Sequence, residues 1–283
     1  MRQITSFSNP AIKALRGLHE RKHRRQTGLF LAEGVRIVTE AAELGWPIET
    51  LVFLDGREED PMIRSLIDHA AGTGADIIAV TAPVLAKISR KDNPQMVAAS
   101  FSERWADADE AFAASSGCWI ALDRVRDPGN LGTILRTADA VGASGVMLIG
   151  DCCDAFSVEA VRASMGAVFN VPMLRLDEAG FLEKRQRWQG QVIGTALPAS
   201  VDYRDANWAE PLLLLMGNEQ AGLTPALMAA ADQLIRMPML GRSDSLNLAV
   251  ATGVSLYEWQ RHHSAHGPAS YGPASNGPAS GQK

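Results

Sequence analysis

The chain has 283 residues and a net charge of −5, and hydrophobic residues make up 46% of it. This length and composition suit two domains of ordinary size with a substantial core. The acidic balance argues against a protein that binds nucleic acid through its overall charge. No apolar run is long enough to span a membrane, and the first residues lack the apolar core of a signal peptide. We expect no membrane contact.

The three cysteines and six histidines match neither a zinc site nor a CxxC motif. We therefore expect a reduced, cytoplasmic protein with no metal and no structural disulfide. Positive charge is concentrated near the N-terminus, where seven basic residues lie within residues 13–36 and only Glu20 and Glu33 oppose them. A local basic patch of this kind binds phosphate even in an acidic chain.

The first half of the chain alternates strands and helices. A basic helix is predicted over residues 9–25, with Asn9 as its cap and Pro10 at its first position. Strands are then predicted at residues 29–31, 49–54, 76–80 and 96–101, and helices at 35–44, 61–71 and 83–88. The alternation predicts a small α/β domain over residues 1–105. Residues 106–117 are the predicted linker, although their alanine content also favours a helix.

The second half predicts another α/β domain, over residues 118–264. Strands are predicted at residues 119–125, 145–149, 171–174, 191–196, 212–216 and 234–239, and helices at 132–141, 157–165, 178–188 and 223–231. A last helix is led by Ser245, Leu246 and Asn247. Its first two turns are nearly apolar all round, so we expect it to be buried on every side. Residues 265–283 repeat Gly-Pro-Ala-Ser and are predicted to be a disordered or added tail.

Three segments share the order strand, polar loop and helix: residues 122–143, 212–223 and 237–260. In open α/β sheets, ligands bind beyond the carboxyl ends of the strands, where all three loops are predicted to lie. Together with residues 194–198 they are expected to surround one pocket. The loops contain neither GxGxxG nor GxxxxGK[ST], which argues against a Rossmann nicotinamide enzyme. Their glycines favour close backbone approach to a planar, uncharged group such as adenine.

The motifs in these loops resemble those of one enzyme family. The matching residues are Asn130 and Arg136, then Gly217-Asn218-Glu219 and Gly222-Leu223, then Met237-Pro238-Met239, Gly241 and Ser245-Leu246-Asn247. In order and spacing they are similar to the SpoU-type (TrmH-like) RNA ribose 2′-O-methyltransferases of the SPOUT superfamily. The first half is similar to the substrate-binding domain of many members, through Asn9-Pro10, Lys13, Arg21, Glu33-Gly34 and Asp92-Asn93-Pro94-Gln95. The chain departs from the pattern at Gln220 and Met96, where glycine is usual.

The resemblance implies a homodimer that uses S-adenosylmethionine to methylate a ribose 2′-OH in structured RNA, with ribosomal RNA favoured over transfer RNA. It implies a small N-terminal α/β RNA-binding domain and a C-terminal SPOUT α/β domain with a mostly parallel sheet and a trefoil knot. The implied cofactor-binding residues are Thr195, Leu197, Met216, Gly217, Met237 and Leu246. The implied catalytic residues are Arg136, Asn130, Glu219, Ser245 and Asn247.

The resemblance implies that Arg136 acts on the hydroxyl, either as the base or by holding the adjacent phosphate while another group takes the proton. The two asparagines are expected to orient Arg136 or the ribose, Ser245 to join the same network, and Glu219 to pair with a cation. RNA phosphates are expected to meet four basic residues: Lys13, Arg21, Arg24 and Arg25.

Less specific roles remain open for the same residues. Ser245 and Asn247 could only cap a helix, and Arg136 could be an ordinary surface arginine. Glu219 could be an exposed loop carboxylate, and the basic segment could be a solvated helix face. At the level of the whole chain, the alternatives are a transfer RNA methyltransferase, a catalytically silent RNA-binding module, or a nucleotide- or dinucleotide-dependent enzyme on an ordinary doubly wound sheet.

Overall fold

A computed structural model of the chain describes residues 1–263, apart from residues 198 and 200. The predicted tail at residues 265–283 lies outside the described residues. Among the residues described, no helix combines the length and the apolar character that crossing a bilayer requires.

The first half forms a five-stranded mixed sheet. Its strands are β1 (Arg2–Ile4), β2 (Leu29–Glu33), β3 (Ile48–Leu54), β4 (Asp76–Val80) and β5 (Val97–Ser102). Their order is β1-β4-β3-β5-β2, with β5 antiparallel to both of its neighbours. The helices are α1 (Pro10–Gly17), α2 (Arg21–Thr27), α3 (Val35–Glu43), α4 (Pro61–Thr73) and α5 (Ala82–Ser89). The predicted α/β class is confirmed, but β1 was not predicted, because three residues are too few to show a periodicity.

The single basic helix predicted over residues 9–25 is wrong, because the segment forms the two helices α1 and α2. Asn9 caps α1 as expected, accepting a 2.9 Å hydrogen bond from the N–H of Ala11. The break follows Gly17, whose missing side chain leaves room for His23, since a Cβ there would approach the imidazole to 2.7 Å. Glycine also disfavours the helix interior. A short turn over residues 18–20 therefore separates α1 from α2.

The second half forms a seven-stranded sheet. Its strands are β6 (Cys118–Asp123), β7 (Gly145–Ile149), β8 (Met173–Leu176), β9 (Gln191–Thr195), β10 (Val201–Asp202), β11 (Leu212–Met216) and β12 (Gln233–Arg236). Their order is β10-β12-β9-β11-β6-β7-β8, and every pairing is parallel. The helices are α6 (Ala108–Phe112), α7 (Pro128–Val141), α8 (Val158–Ser164), α9 (Glu178–Arg185), α10 (Pro225–Ala230) and α11 (Leu248–His263). The predicted, mostly parallel sheet is confirmed. Helix α6 lies inside the predicted linker, and the domain boundaries stay predictions.

Three predictions about the C-terminal segment are wrong. The strand predicted over residues 234–239 ends at Arg236, because Pro238 has no N–H to donate to a neighbouring strand. Helix α11 begins at Leu248 and not at Ser245. It is also not buried all round, because Val250 is 52% exposed and Tyr257 is 55% exposed. No other part of the described chain covers that face.

The two halves share one apolar core. The ring of Phe30 lies 4.6 Å from Phe156 and 5.7 Å from Phe169, measured between centroids. The indole N–H of Trp46 donates to the carbonyl of Phe169 at 2.9 Å. Because aromatic side chains from both halves meet in this cluster, the first domain is held against the second by packing and not only by the connecting chain.

Candidate active site

Two loops meet where β6 and β11 end side by side. Buried Asp123, the last residue of β6, accepts two 2.8 Å hydrogen bonds from the guanidinium of Arg124. The same guanidinium donates to the carbonyl of Gly222 in the loop after β11, at 3.2 Å. Hydrogen bonding to Asp123 raises the pKa of Arg124, which keeps it cationic. The guanidinium of Arg124 thus joins the loop after β6 to the loop after β11 through charged, partly buried hydrogen bonds.

The loop after β11 is closed on itself by Asn218. Its backbone exchanges hydrogen bonds of 3.1 and 2.9 Å with Gly222. Its side-chain oxygen accepts from the N–H groups of Gln220 and Ala221, at 2.9 and 3.0 Å. Gly217 lies against this turn, where a Cβ would collide with the backbone of Gly222 and its neighbour. Gln220, which departs from the family pattern, does not adopt a positive φ, so the loop does not require glycine there.

A chain of hydrogen bonds joins all three predicted loops. The side-chain N–H of Asn247 donates to the side-chain oxygen of Asn130 at 2.9 Å. The side-chain N–H of Asn130 in turn donates to Glu219 at 3.3 Å. Asn247 also caps α11, with its side-chain oxygen 2.9 Å from the N–H of Ala249. The predicted cluster of Asn130, Glu219 and Asn247 therefore exists, although Glu219 meets an amide and, among the described residues, no cation.

Arg136 and Ser245 lie outside this chain of hydrogen bonds. Both are exposed, and neither side chain makes a hydrogen bond or ion pair with any residue that the structure describes. Arg136 lies six residues after Asn130 on the same helix, which places it about 9 Å further along the axis and about 120° around it. The roles predicted for Arg136 and Ser245 stay predictions, and no partner among the described residues orients either side chain.

The predicted cofactor residues lie at the same edge of the sheet. The hydroxyl of Thr195, at the end of β9, is 3.7 Å from the sulfur of buried Met216 on the adjacent strand β11. Beyond β12, the backbone of residues 237–246 makes no hydrogen bond within the described chain. Free N–H and C=O groups beside a glycine turn suit an adenine ring, which needs both donors and acceptors. Exposed Leu197 and Leu246 supply apolar surface at the same edge.

The comparisons with known proteins agree with this geometry. Residues 117–257 match the SpoU rRNA Methylase family, and residues 9–99 match the MRM3-like substrate binding domain. The chain is 30% identical over 257 residues to the 23S rRNA (guanosine(2553)-2′-O)-methyltransferase RlmP of Bacillus subtilis (strain 168), covering 91% of this chain and 98% of that protein. It is 33% identical over 248 residues to a 23S rRNA (uridine(2479)-2′-O)-methyltransferase of Streptomyces viridochromogenes, covering 85% of each.

Among solved structures, the AdoMet-bound rRNA methyltransferase from Sinorhizobium meliloti matches with a TM-score of 0.87 at 45% identity, over 93% of this chain and 98% of that chain. The chain belongs to the SpoU rRNA methylase family. The match over residues 117–257 contains all three loops that form the site. The resemblance inferred from their motifs is therefore confirmed.

In this SpoU-family protein, one predicted RNA contact is wrong. Arg24 is only 2% exposed, and its guanidinium lies 2.6 Å from the carboxylate of Asp154 in the second half. A buried, paired arginine is not available to a phosphate. Lys13 and Arg25 are exposed, and Arg21 is exposed while donating to the carbonyl of Cys152 at 3.2 Å. Their predicted RNA contacts stay predictions.

The sequence analysis missed Arg126, an exposed residue next to the site. Its backbone N–H lies 3.4 Å from Glu219, and its guanidinium lies 3.0 Å from Asp151. Asp151 is in turn 4.0 Å from Arg21, so a row of charges connects α2 with the loop that carries Asn130. The only signal in the sequence was a second basic residue close before the Asp127-Pro128 turn, which is not distinctive.

The cysteines are free thiols. Burial raises the pKa of Cys118, and it raises the pKa of Cys152 to about 11 and that of Cys153 to about 12. Thiols with such values are protonated and unreactive at neutral pH. Among the described residues, no group of three histidine, cysteine or acidic side chains is placed to hold a metal ion.

Proposed function

We propose that this protein transfers a methyl group from S-adenosylmethionine to a ribose 2′-OH in structured ribosomal RNA. The observation that carries the proposal is the hydrogen-bonded row of Asn247, Asn130 and Glu219, which draws three separated loops to one edge of a parallel sheet. That row lies within the part of the chain that matches the SpoU family. The AdoMet-bound relative and the 23S rRNA relatives support both the cofactor and the RNA class.

The residues at the sheet edge fit the cofactor. Thr195 and Leu197 would line one side, the backbone at Gly217 another, and the free backbone from Met237 to Leu246 the third. Buried Met216 would support the pocket from below. When bound, the cofactor supplies an already activated methyl sulfonium. The protein's own task is then alignment, which contributes on the order of 7–11 kcal/mol to such reactions.

Arg136 is the residue that we assign to the substrate. Its guanidinium is exposed and without a partner among the described residues, so all its donors are available to an RNA phosphate or the ribose oxygen. Guanidinium groups normally stay protonated in proteins, which favours a bidentate contact to the phosphate next to the reacting hydroxyl. The hydroxyl proton would then pass to water or to a nearby acceptor, while Asn130 and Asn247 orient the ribose.

We further propose that the protein acts as a homodimer in the cytoplasm. Large apolar residues on the outer face of the last helix and the turn before it are exposed: Leu246, Val250 and Tyr257 are 39%, 52% and 55% exposed. Exposed apolar surface of this kind marks a protein–protein contact. Helix α11 packs on α7, the helix that carries Arg136, and a second copy on the exposed face of α11 could complete the site. The trefoil knot implied by the family resemblance remains part of this proposal.

A methyl-transfer assay tests the function directly. Radiolabelled S-adenosylmethionine is supplied with an unmodified 23S rRNA transcript or with unmodified transfer RNA, and the product is hydrolysed in alkali. A 2′-O-methyl group blocks cleavage at its own nucleotide, so the label should appear in alkali-resistant dinucleotides from the ribosomal RNA. Label in mononucleotides would show base methylation and reject the proposal. Label in transfer RNA alone would select the transfer RNA alternative, and no label with either RNA would support the silent RNA-binding module.

A further inference from the structure

Arg124, the residue after β6, has a left-handed backbone conformation. Its φ is 49°, and only two other non-glycine residues of the described chain have a positive φ, Arg90 and Met165. This conformation costs free energy in a residue with a Cβ, and it persists where the surrounding structure holds it. The N–H of Arg124 donates to the carbonyl of Ile149 at 2.9 Å, so the hydrogen bonds between β6 and β7 continue up to this residue. Arg124 is therefore fixed at the edge of the sheet where the site lies.

Asp123 and Arg124 hold the loop after β11 at three points. The side-chain N–H of Asn218 donates to the carbonyl of Arg124 at 2.8 Å. The guanidinium of Arg124 donates to the carbonyl of Gly222 at 3.2 Å. The N–H of Thr224 lies 3.3 Å from the carboxylate of Asp123. The loop is thus attached to the end of β6 both before and after its tip.

The tip of this loop, residues 219–221, is exposed and buries no apolar side chain. Packing therefore does not determine its conformation, and hydrogen bonds to the rest of the protein have to do so. Gly217, whose backbone we assign to the cofactor, directly precedes Asn218 in the chain. Movement of Asn218 away from Arg124 would displace this backbone and with it one side of the proposed cofactor pocket.

The guanidinium of Arg124 is fixed in the orientation that reaches the loop. Its Nε and Nη2 atoms each donate to one oxygen of Asp123 at 2.8 Å, and that carboxylate is only 1% exposed. The side-chain stem passes over Gly150, where a Cβ would approach Cγ of the arginine to 3.2 Å. A planar fork that is held at two atoms keeps its donors in fixed directions, which a lysine ammonium cannot do. The pair with Asp123 therefore directs Nη2 at the carbonyl of Gly222.

We propose that Arg124 is a positioning residue for the cofactor, which holds the loop after β11 in the conformation that binds S-adenosylmethionine. Its guanidinium donates to Asp123 and Gly222, so it acts through the loop and not by contact with the methyl group or the RNA. A loop that is already in its bound conformation costs less free energy to order when the ligand binds, and the affinity is higher for that reason. This inference rests on the proposed function, since it takes S-adenosylmethionine as the ligand.

Arg124→Gly in the full-length protein tests this role, because glycine keeps the left-handed backbone and removes the guanidinium. The matched control is Arg90→Gly. Arg90 also has a left-handed backbone and an ion pair of 2.7 Å, with Glu20, but it lies at the end of α5 in the first half of the chain. Calorimetry with S-adenosylhomocysteine should show about 10- to 100-fold weaker binding for Arg124→Gly, the loss expected for one charged hydrogen bond. Arg90→Gly should bind as the wild type does, and Arg124→Lys, which keeps a charge beside Asp123, should lie between them.

A kinetic measurement separates positioning from a loss of folded protein. Removal of the guanidinium should raise the KM for S-adenosylmethionine more than it lowers kcat at saturating cofactor. An unfolded fraction of the protein would instead lower kcat and leave both KM and Kd unchanged. D123N/R124G, which also removes the buried negative charge, gives the same measurements if Arg124→Gly does not fold.

The proposal is overturned if Arg124→Gly binds S-adenosylhomocysteine as tightly as the wild type, if Arg90→Gly loses as much affinity, or if only kcat falls. A wild-type protein that does not bind S-adenosylhomocysteine would overturn both this proposal and the proposed function. Binding that depends on Arg124, without methyl transfer to either RNA, would reject the proposed function alone.

Discussion

Asn130 connects its two neighbours because a primary amide carries an acceptor and a donor on one planar group. Its oxygen accepts from Asn247 and its nitrogen donates to Glu219. An aspartate there would repel Glu219, and an apolar residue would remove the hydrogen bonds that join Asn247 to Asn130 and Asn130 to Glu219. This position therefore requires an amide, which can accept one hydrogen bond and donate another, and this explains why Asn130 begins the first motif.

Replacement of Arg136 by alanine should remove methyl transfer and leave the cofactor site intact. The side chain is exposed and contacts no partner in the described chain, so its loss should not disturb folding. Removal of one donor aimed at a reacting group costs about 10²- to 10³-fold in rate. Initial rates with 23S rRNA and calorimetry with S-adenosylhomocysteine measure the two effects separately, with Arg57→Ala as the control. Equal loss of both, or activity close to that of the wild type, would contradict the assignment.

Arg24 has a structural role, and its removal should destabilise the protein. The guanidinium is buried against Asp154, so Arg24→Ala leaves a carboxylate without its partner at the contact between the two halves. Breaking a buried pair in this way costs about 3–5 kcal/mol in the free energy of unfolding. Urea titration measures the cost, and exposed Arg25→Ala should lie within about 0.5 kcal/mol of the wild type. Equal stability of the two variants would show that the pair contributes little.

Helix α7 positions the site because it packs closely on α8. Gly132 makes this approach possible: a Cβ there would lie 2.5 Å from the Cβ of Ala163 and 2.6 Å from the carbonyl of Ala160. The helix is also fixed at its start, where the carboxylate of Asp127 accepts from the N–H of Asn130 at 2.6 Å. Asn130 is therefore presented by an element that is held along its length and at its cap.

Replacement of Gly217 by alanine, at the start of the loop after β11, should lower the affinity of the protein for the cofactor. The new methyl group would collide with the backbone of Gly222 and Leu223, and backbone cannot move aside as a flexible side chain does. Overpacking of this kind costs about 1–3 kcal/mol, which corresponds to about 5- to 150-fold in affinity if the loop must open. Calorimetry with S-adenosylhomocysteine measures the change. Gly72→Ala, where a Cβ has no neighbour within 4 Å, is the control and should bind normally.

At the scale of the whole molecule, the exposed face of α11 is the surface on which we expect two copies of the protein to form a homodimer. Val250→Asp places a charge in the centre of the exposed apolar face and should convert the proposed dimer to a monomer. If the partner subunit completes the site, the rate of methyl transfer should fall when the dimer is lost. Sedimentation velocity gives the mass, and Met62→Asp, at a residue that is equally 52% exposed on α4, is the matched control. A wild-type protein that sediments as a monomer would reject the dimer.

The sequence predicted well those elements whose conformation is determined by residues close together in the chain. Asn9 was expected to cap the first helix, and its side chain accepts from the N–H of Ala11 at 2.9 Å. A strand was predicted at residues 212–216, and it forms as β11, with all five of its residues buried. Both outcomes depend on neighbouring residues in the chain, which a single sequence displays in full.

Two of the errors concern residues whose surroundings come from distant parts of the chain. Arg24 was assigned to RNA because it lies in a basic run, but its partner is 130 residues away. Helix α11 was expected to be buried because it is apolar, yet burial requires a second surface, and the described chain provides one for only one face. The break after Gly17 is more local, because the missing side chain makes room for His23, six residues further on.

By itself the sequence determined the family, the alternation of strands and helices, and the three loops that carry the site, because residue type and spacing are properties of the chain alone. Only the tertiary structure decided that Asn130 bridges Glu219 and Asn247, which is 117 residues away, and that Arg136 remains apart from them. It also brought Asn218 and Gly222 into contact with Arg124. These outcomes depend on which surfaces meet when the chain packs. Packing brings together residues that are far apart in the sequence, and a single sequence does not show which of them will be in contact.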